Sequence, residues 1–260
     1  MIIPIQPSGP KPPLFAVHIL GGMSSYYKAM SAELGPDQPV IGVAFGTLSR
    51  DKPIGVENAA RTYFEDIQTF HPEGKVHLAA VSLAAYFAWE LAWLLTEAGR
   101  EVGHLALFDA NGPDGRPSYK GLGRLRANLR TIHHRGYGSI PIAIRDRYRE
   151  RQYLRDAAKM KAQTQKGEKI EIRRGQDFIA ANEFAVANYT PKPLPVPVTI
   201  YRSNENFFDT EESIRRGLGW DRVALAGYEV IDVPGGHLTM LDEPHVKTLA
   251  GHIAHGMAKS

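Results

Sequence analysis

Val76-His-Leu-Ala-Ala-Val-Ser82-Leu-Ala-Ala-Tyr-Phe-Ala-Trp-Glu90 is the stretch whose reading decides the fold. Val76 to Val81 has the near-continuous apolar character of a strand covered on both faces, and the residues from Leu83 to Leu95 are apolar almost all round, as in a helix buried against the middle of a sheet. Only Ser82 separates the two, so there is no room for a loop. A serine on so sharp a strand-to-helix turn is held in a strained backbone conformation that lifts its hydroxyl above the sheet at the helix N-terminus. The positions around it must be small, and Ala80, Ala84 and Ala85 are, although Ala80 and Ala84 stand where the usual G-x-S-x-G pattern has glycines. Taken alone, Ser82 also reads as a simple helix N-cap.

Two further stretches bear on that choice. Leu14-Phe-Ala-Val-His-Ile-Leu20-Gly-Gly22 is a buried strand running into a Gly-Gly turn ahead of the serine. In this architecture such a turn supplies one backbone N–H to an oxyanion hole, and the residue after the nucleophile supplies the other. The donors expected here are the amides of Leu20 and Leu83. Tyr228-Glu-Val-Ile-Asp-Val-Pro-Gly-Gly-His237 is a strand, a glycine-rich turn and a histidine ahead of the last helix. His18, His77, His133 and His134 compete as candidate bases, but only His237 combines a late position with a glycine approach. For the carboxylate that would orient it, Asp109 ends a buried strand, while Glu205 and Asp209 follow the next one. All three keep the order serine, acid, histidine, and the residues alone leave the choice open.

Around these motifs the pattern alternates. Leu14–Ile19, Pro39–Ala44, Val76–Val81, Leu105–Phe108, Val196–Tyr201 and Tyr228–Val233 read as strands, and Asn58–Phe70 and Glu243–Met257 as amphipathic helices. Strand alternating with helix predicts an α/β protein with a mostly parallel central sheet and helices on both faces. The alternation breaks between about 112 and 191, where an Arg/Lys-rich stretch with helical periodicity predicts an inserted helical lid. Residues 14–111 and 192–260 then make the core, and the proline-rich residues 1–13 read as an extended linker.

Composition narrows the chemistry. The chain has 260 residues and no cysteine, so disulfides, thiolate nucleophiles and cysteine-ligated metals drop out. No secretory signal and no apolar run long enough to span a bilayer is visible, which predicts a soluble, cytoplasmic protein with no membrane partner. Net charge is +3, yet Arg116 to Arg174 alone carries +12 and the remainder −9. Such a basic segment is either a set of solvated helix faces or a docking surface for an anionic partner. Nucleic acid is not expected, because charge is its sole support.

Pro12-Pro-Leu-Phe-Ala-Val-His-Ile-Leu-Gly-Gly22, Leu34-Gly-Pro-Asp-Gln-Pro-Val40, the serine turn, Leu105-Ala-Leu-Phe-Asp-Ala110 and Val233-Pro-Gly-Gly-His-Leu-Thr-Met-Leu-Asp-Glu-Pro-His245 resemble the thioesterase domains that end nonribosomal peptide synthetases and polyketide synthases. The resemblance spans nearly the whole chain. It implies an α/β-hydrolase fold with a helical lid that takes an acyl chain from the phosphopantetheine arm of an acyl or peptidyl carrier protein, with no cofactor bound directly and no metal. It places the nucleophile at Ser82, the base at His237 and the acid at Asp109 instead of Glu205 or Asp209. Residues 1–13 resemble the segment that joins a carrier domain to such a thioesterase, so Met1 would be an excision point. The chain departs from the family at the alanines of the elbow and at Ile19-Leu20, where Pro-Ala is more usual. The rival expectations are a hydrolase of free esters or acyl-CoA on the same fold, and a non-catalytic acyl- or partner-binding relative.

Overall fold

The computed structural model describes residues 1–19, 24–44, 55–115, 176–206 and 209–260, together with scattered positions between 129 and 166. Seven strands form one sheet in the order β1-β3-β2-β4-β5-β6-β7: β1 Ile2–Gln6, β2 Leu14–Val17, β3 Val40–Val43, β4 Val76–Val81, β5 Val102–Phe108, β6 Val198–Ser203 and β7 Tyr228–Val233. Every pairing is parallel except β1 with β3. All residues of β2, β3, β4 and β5 are buried, which is why their sequences show no polar alternation.

Alternate residues of each strand feed two separate cores. On one face Phe15, Val17, Leu78, Ala80, Leu105 and Leu107 meet helices α2 (Val56–Phe70) and α3 (Ala85–Glu97). On the other, Leu14, Ala79, Val81 and Phe108 meet Met30 of α1 (Lys28–Leu34) and Val246, Leu249 and Ile253 of α5 (Val246–Lys259). Helix α2 is amphipathic because solvent takes its outer side, whereas α3 buries nine of its thirteen residues and is apolar all round. The α3 helix ends just before Gly99, whose φ of +75° is the left-handed conformation glycine adopts after a helix.

The strand order reverses between β2 and β4. In an open α/β sheet, ligands bind in the crevice outside the carboxyl ends of the strands at such a switch point. The two loops that flank this crevice are the one after β2 and the turn at Ser82.

Part of residues 1–13, expected as an extended linker, lies in the sheet. Ile2–Gln6 is an edge strand antiparallel to β3, with an irregularity in register between Pro4 and Gln6. Proline cannot donate to a ladder, and an edge strand tolerates it. The predicted lid lies mostly outside the described residues. Its final part is helix α4 (Gln176–Ala187), where Ala180, Ala181, Phe184 and Ala185 are buried. No helix among the described residues is long and apolar enough to cross a membrane.

Candidate active site

Ser82 has φ +57°, one of three non-glycine residues with positive φ among those described; the others are Asp109 and Leu218. Left-handed backbone costs an L-residue about 1–2 kcal/mol, so its persistence means that the surroundings impose it. Six buried residues on one side and a buried helix on the other do so here. The Leu83 N–H lies in the first turn after Ser82, where helical N–H groups have no intrahelical partner. Leu20, the other expected oxyanion donor, lies outside the described residues, as do Gly21 and Gly22.

Val81 pairs with Phe108 across β4 and β5, so Ser82 and Asp109 leave neighbouring strands side by side. Three contacts hold the turn at Asp109, whose own φ is +44°. Its N–H donates to Tyr201 O at 2.8 Å, the Trp220 indole N–H donates to Ala110 O at 3.0 Å, and Gly112 N–H donates to Leu218 O at 2.9 Å. Trp220 itself stacks on Trp89 of α3 with ring centroids 4.5 Å apart.

His237 Nδ1 donates to Asp109 Oδ2 at 2.6 Å. The imidazole is half exposed (49%) while the carboxylate is nearly buried (4%). Asp109 Oδ1 accepts from the Ser203 N–H at 3.2 Å and from Asn206 Nδ2 at 3.3 Å, which fixes the carboxylate. The histidine loop is tied down as well: Ser203 Oγ donates to Gly235 O at 2.6 Å, and Gly236 N–H donates to Thr239 Oγ1 at 2.8 Å. With Nδ1 protonated and held by Asp109, Nε2 is the nitrogen free to act as a base. Ser82 and His237 form no hydrogen bond with one another. Free enzymes often show this contact long and tighten it only around substrate.

Asp109, and not Glu205 or Asp209, therefore meets His237. Glu205 is exposed, and Asp209 lies against Arg202, with Asp209 Oδ2 3.6 Å from Nη1. The competing histidines also separate. His18 Nδ1 donates to Ile19 O at 2.7 Å, so Nε2, 2.7 Å from the Tyr63 hydroxyl, is the acceptor. Burial drives His18 down to about 4, and it drives His77 and His104 to about 4 as well. These are neutral core histidines; His133 and His134 lie outside the described residues. Sequence reading missed Ser203, Asn206 and Trp220, whose roles depend on the loop after β6 folding back over Asp109. Among the described residues no group of three or more His, Asp or Glu is placed to hold a metal. A surface cavity of about 700 Å³ is lined by His104, Tyr201, Glu229, His252 and Lys259, and not by Ser82, Asp109 or His237.

The family described as "Thioesterase domain" matches residues 12–256. The chain belongs to this thioesterase family. A dimodular nonribosomal peptide synthase of Bacillus subtilis (strain 168) is 36% identical to it over 112 residues, 42% of this chain and 5% of that one. Chondramide synthase cmdD of Chondromyces crocatus is 25% identical over 268 residues, 96% of this chain and 7% of that one. The matched stretches thus span less than a tenth of the length of either relative. Among solved structures, the NocB thioesterase domain in covalent complex with a fluorophosphonate nocardicin G analog superposes with a TM-score of 0.67 at 21% identity, covering 98% of this chain and 99% of that one. The surfactin-cyclising thioesterase domain SrfTE gives 0.58 at 16% identity, covering 94% and 90%. At these identities the likeness establishes the fold.

Proposed function

We propose that this thioesterase releases an acyl, peptidyl or polyketide chain from the phosphopantetheine thioester of a carrier protein through an acyl-Ser82 intermediate. His237 Nε2 takes the Ser82 proton as Oγ attacks the thioester carbonyl, and Asp109 steadies the imidazolium that forms. The Leu83 and Leu20 amides receive the developing oxyanion. As the carbon–sulfur bond breaks, His237 returns the proton to the departing pantetheine thiolate. The acyl-serine ester is then opened by water, giving an acid, or by a hydroxyl or amine of the chain itself, giving a macrocycle.

The observation that carries this reading is the 2.6 Å His237–Asp109 contact on the strand next to a serine held at φ +57°. The carrier-bound substrate is supported by the family and by relatives named as nonribosomal peptide synthases. Intact-mass measurement after mixing with an acyl-loaded carrier protein should show a transient acyl adduct on the unsubstituted chain and none on Ser82→Ala. Losing the nucleophile of a serine hydrolase lowers turnover on the order of 10⁶-fold. A Ser82→Ala chain that kept most of its thioesterase activity would overturn the proposal.

A further inference from the structure

The loop after β6 buries a carboxylate that the proposed mechanism does not use. Asp209 has a side chain only 1% exposed, and neither Oδ1 nor Oδ2 accepts a hydrogen bond among the described residues. Arg202 faces it from β6, but at 3.6 Å the contact is an ion pair too long for a hydrogen bond. The guanidinium spends its short bonds on Asp232 of β7, with Nε and Nη2 each 2.7 Å from a carboxylate oxygen. The third charged group around Asp209 is Asp109, at the end of β5. The same loop supplies Asn206 to Asp109 Oδ1.

A buried acceptor-only group left without donors is costly and needs a reason. We propose that Asp209 is a second carboxylate supporting Asp109 from the loop after β6, whose negative charge, acting through Asp109, strengthens the hold on the His237 imidazolium during acyl transfer. This rests on the reading of Ser82, His237 and Asp109 given above. Asp209 is a positioning residue in this scheme and touches neither substrate nor His237. Burial, then the charge of Asp109 and last that of Asp232 push it up to about 6, against the pull of Arg202, so it changes state within the working range of an enzyme. Below about pH 6 the carboxyl is neutral and its contribution vanishes; above it the charge is present.

The test is kcat against pH for the unsubstituted chain and for Asp209→Asn, with Ser82→Ala alongside. Above about pH 7 the asparagine variant should turn over roughly 3- to 10-fold more slowly at unchanged KM, the effect of one screened charge. The two curves should converge near about pH 5, where the native carboxyl is itself neutral. A ratio that stays flat across pH, with Ser82→Ala inactive, overturns this inference alone; an active Ser82→Ala overturns the triad instead. If Asp209→Asn does not fold, the carbon-13 titration of the Asp209 carboxyl in the unsubstituted chain decides. A midpoint near about pH 6, echoed by the His237 ring resonances, supports the proposal. A midpoint in the ordinary range below about pH 4, or no echo at His237, refutes it.

Discussion

Acidification should unfold this domain through its buried histidines well before general charge repulsion does. His18, His77 and His104 are each at most 4% exposed, and burial is the first cause that carries each from 6.5 to about 4. Lys75 adds to the effect at His77, and His77 to that at His104, its neighbour in register on β5. Since the folded values lie below the unfolded ones, the unfolded chain binds more protons between about pH 6.5 and 4. Stability is therefore complete above that window and is lost as pH falls through it. A shift of this size is about 3 kcal/mol per histidine, or about 10 kcal/mol for three. Asp209 acts with the opposite sign: raised to about 6, it takes its proton in the native state first and returns about 3 kcal/mol over the same range. The net loss of about 7 kcal/mol is a large share of the 5–15 kcal/mol typical of a domain. Urea unfolding followed at half-unit steps from about pH 7.5 to 4.5 should show a steady fall in stability, with a shallower slope in His104→Gln. A midpoint unchanged across the window would refute the claim that these imidazoles stay neutral in the fold.

The remaining expectations concern the site and its supports. Asp109→Asn should lower kcat by about 10⁴ while the variant still folds, because the imidazole loses its orienting acceptor; a loss under tenfold would pass the role to another carboxylate. Gly115→Ala should cost on the order of 3 kcal/mol in an unfolding titration, since its methyl would fall 1.5 Å from Leu218 O, a backbone atom that cannot swing aside. Reversing Arg145, Arg147, Arg149 and Arg151 should weaken carrier docking and flatten its salt dependence, measured by titration with carrier protein; unchanged salt dependence would return that charge to solvated helix faces.

What was legible in the sequence followed from burial. Continuous apolar strands and the all-round apolar α3 can be read because the sheet is covered on both faces. The parts that were not legible depend on position in space. Ile2–Gln6 carries a proline and looks like linker, yet it pairs at an edge where proline is permitted. Helix α1 is seven residues long and buries only Met30 and Ser31, too few for a periodicity. The choice among Asp109, Glu205 and Asp209 turned on which carboxylate the His237 loop reaches. No spacing along the chain encodes that distance.

The alanines of the elbow were the clearest departure from the expected pattern, and the backbone explains them. Val81 sits at φ −106°, Ala84 at −63° and Ala85 at −54°, all comfortable for an L-residue; only Ser82 is left-handed. Glycine is therefore not demanded by conformation at 80, 84 or 85, and the three methyls pack into the core beneath α3. The turn's strain is concentrated on the serine, where glycine would relieve it and alanine would not. Ser82→Gly and Ser82→Ala should both be inactive, but the glycine variant should be more stable by about 1 kcal/mol, the left-handed cost less the greater freedom of glycine in the unfolded chain. Urea unfolding of the two inactive proteins side by side measures this difference without interference from turnover. Equal stabilities, or a more stable alanine, would mean that the strain is spread along the turn and not held at the proposed nucleophile.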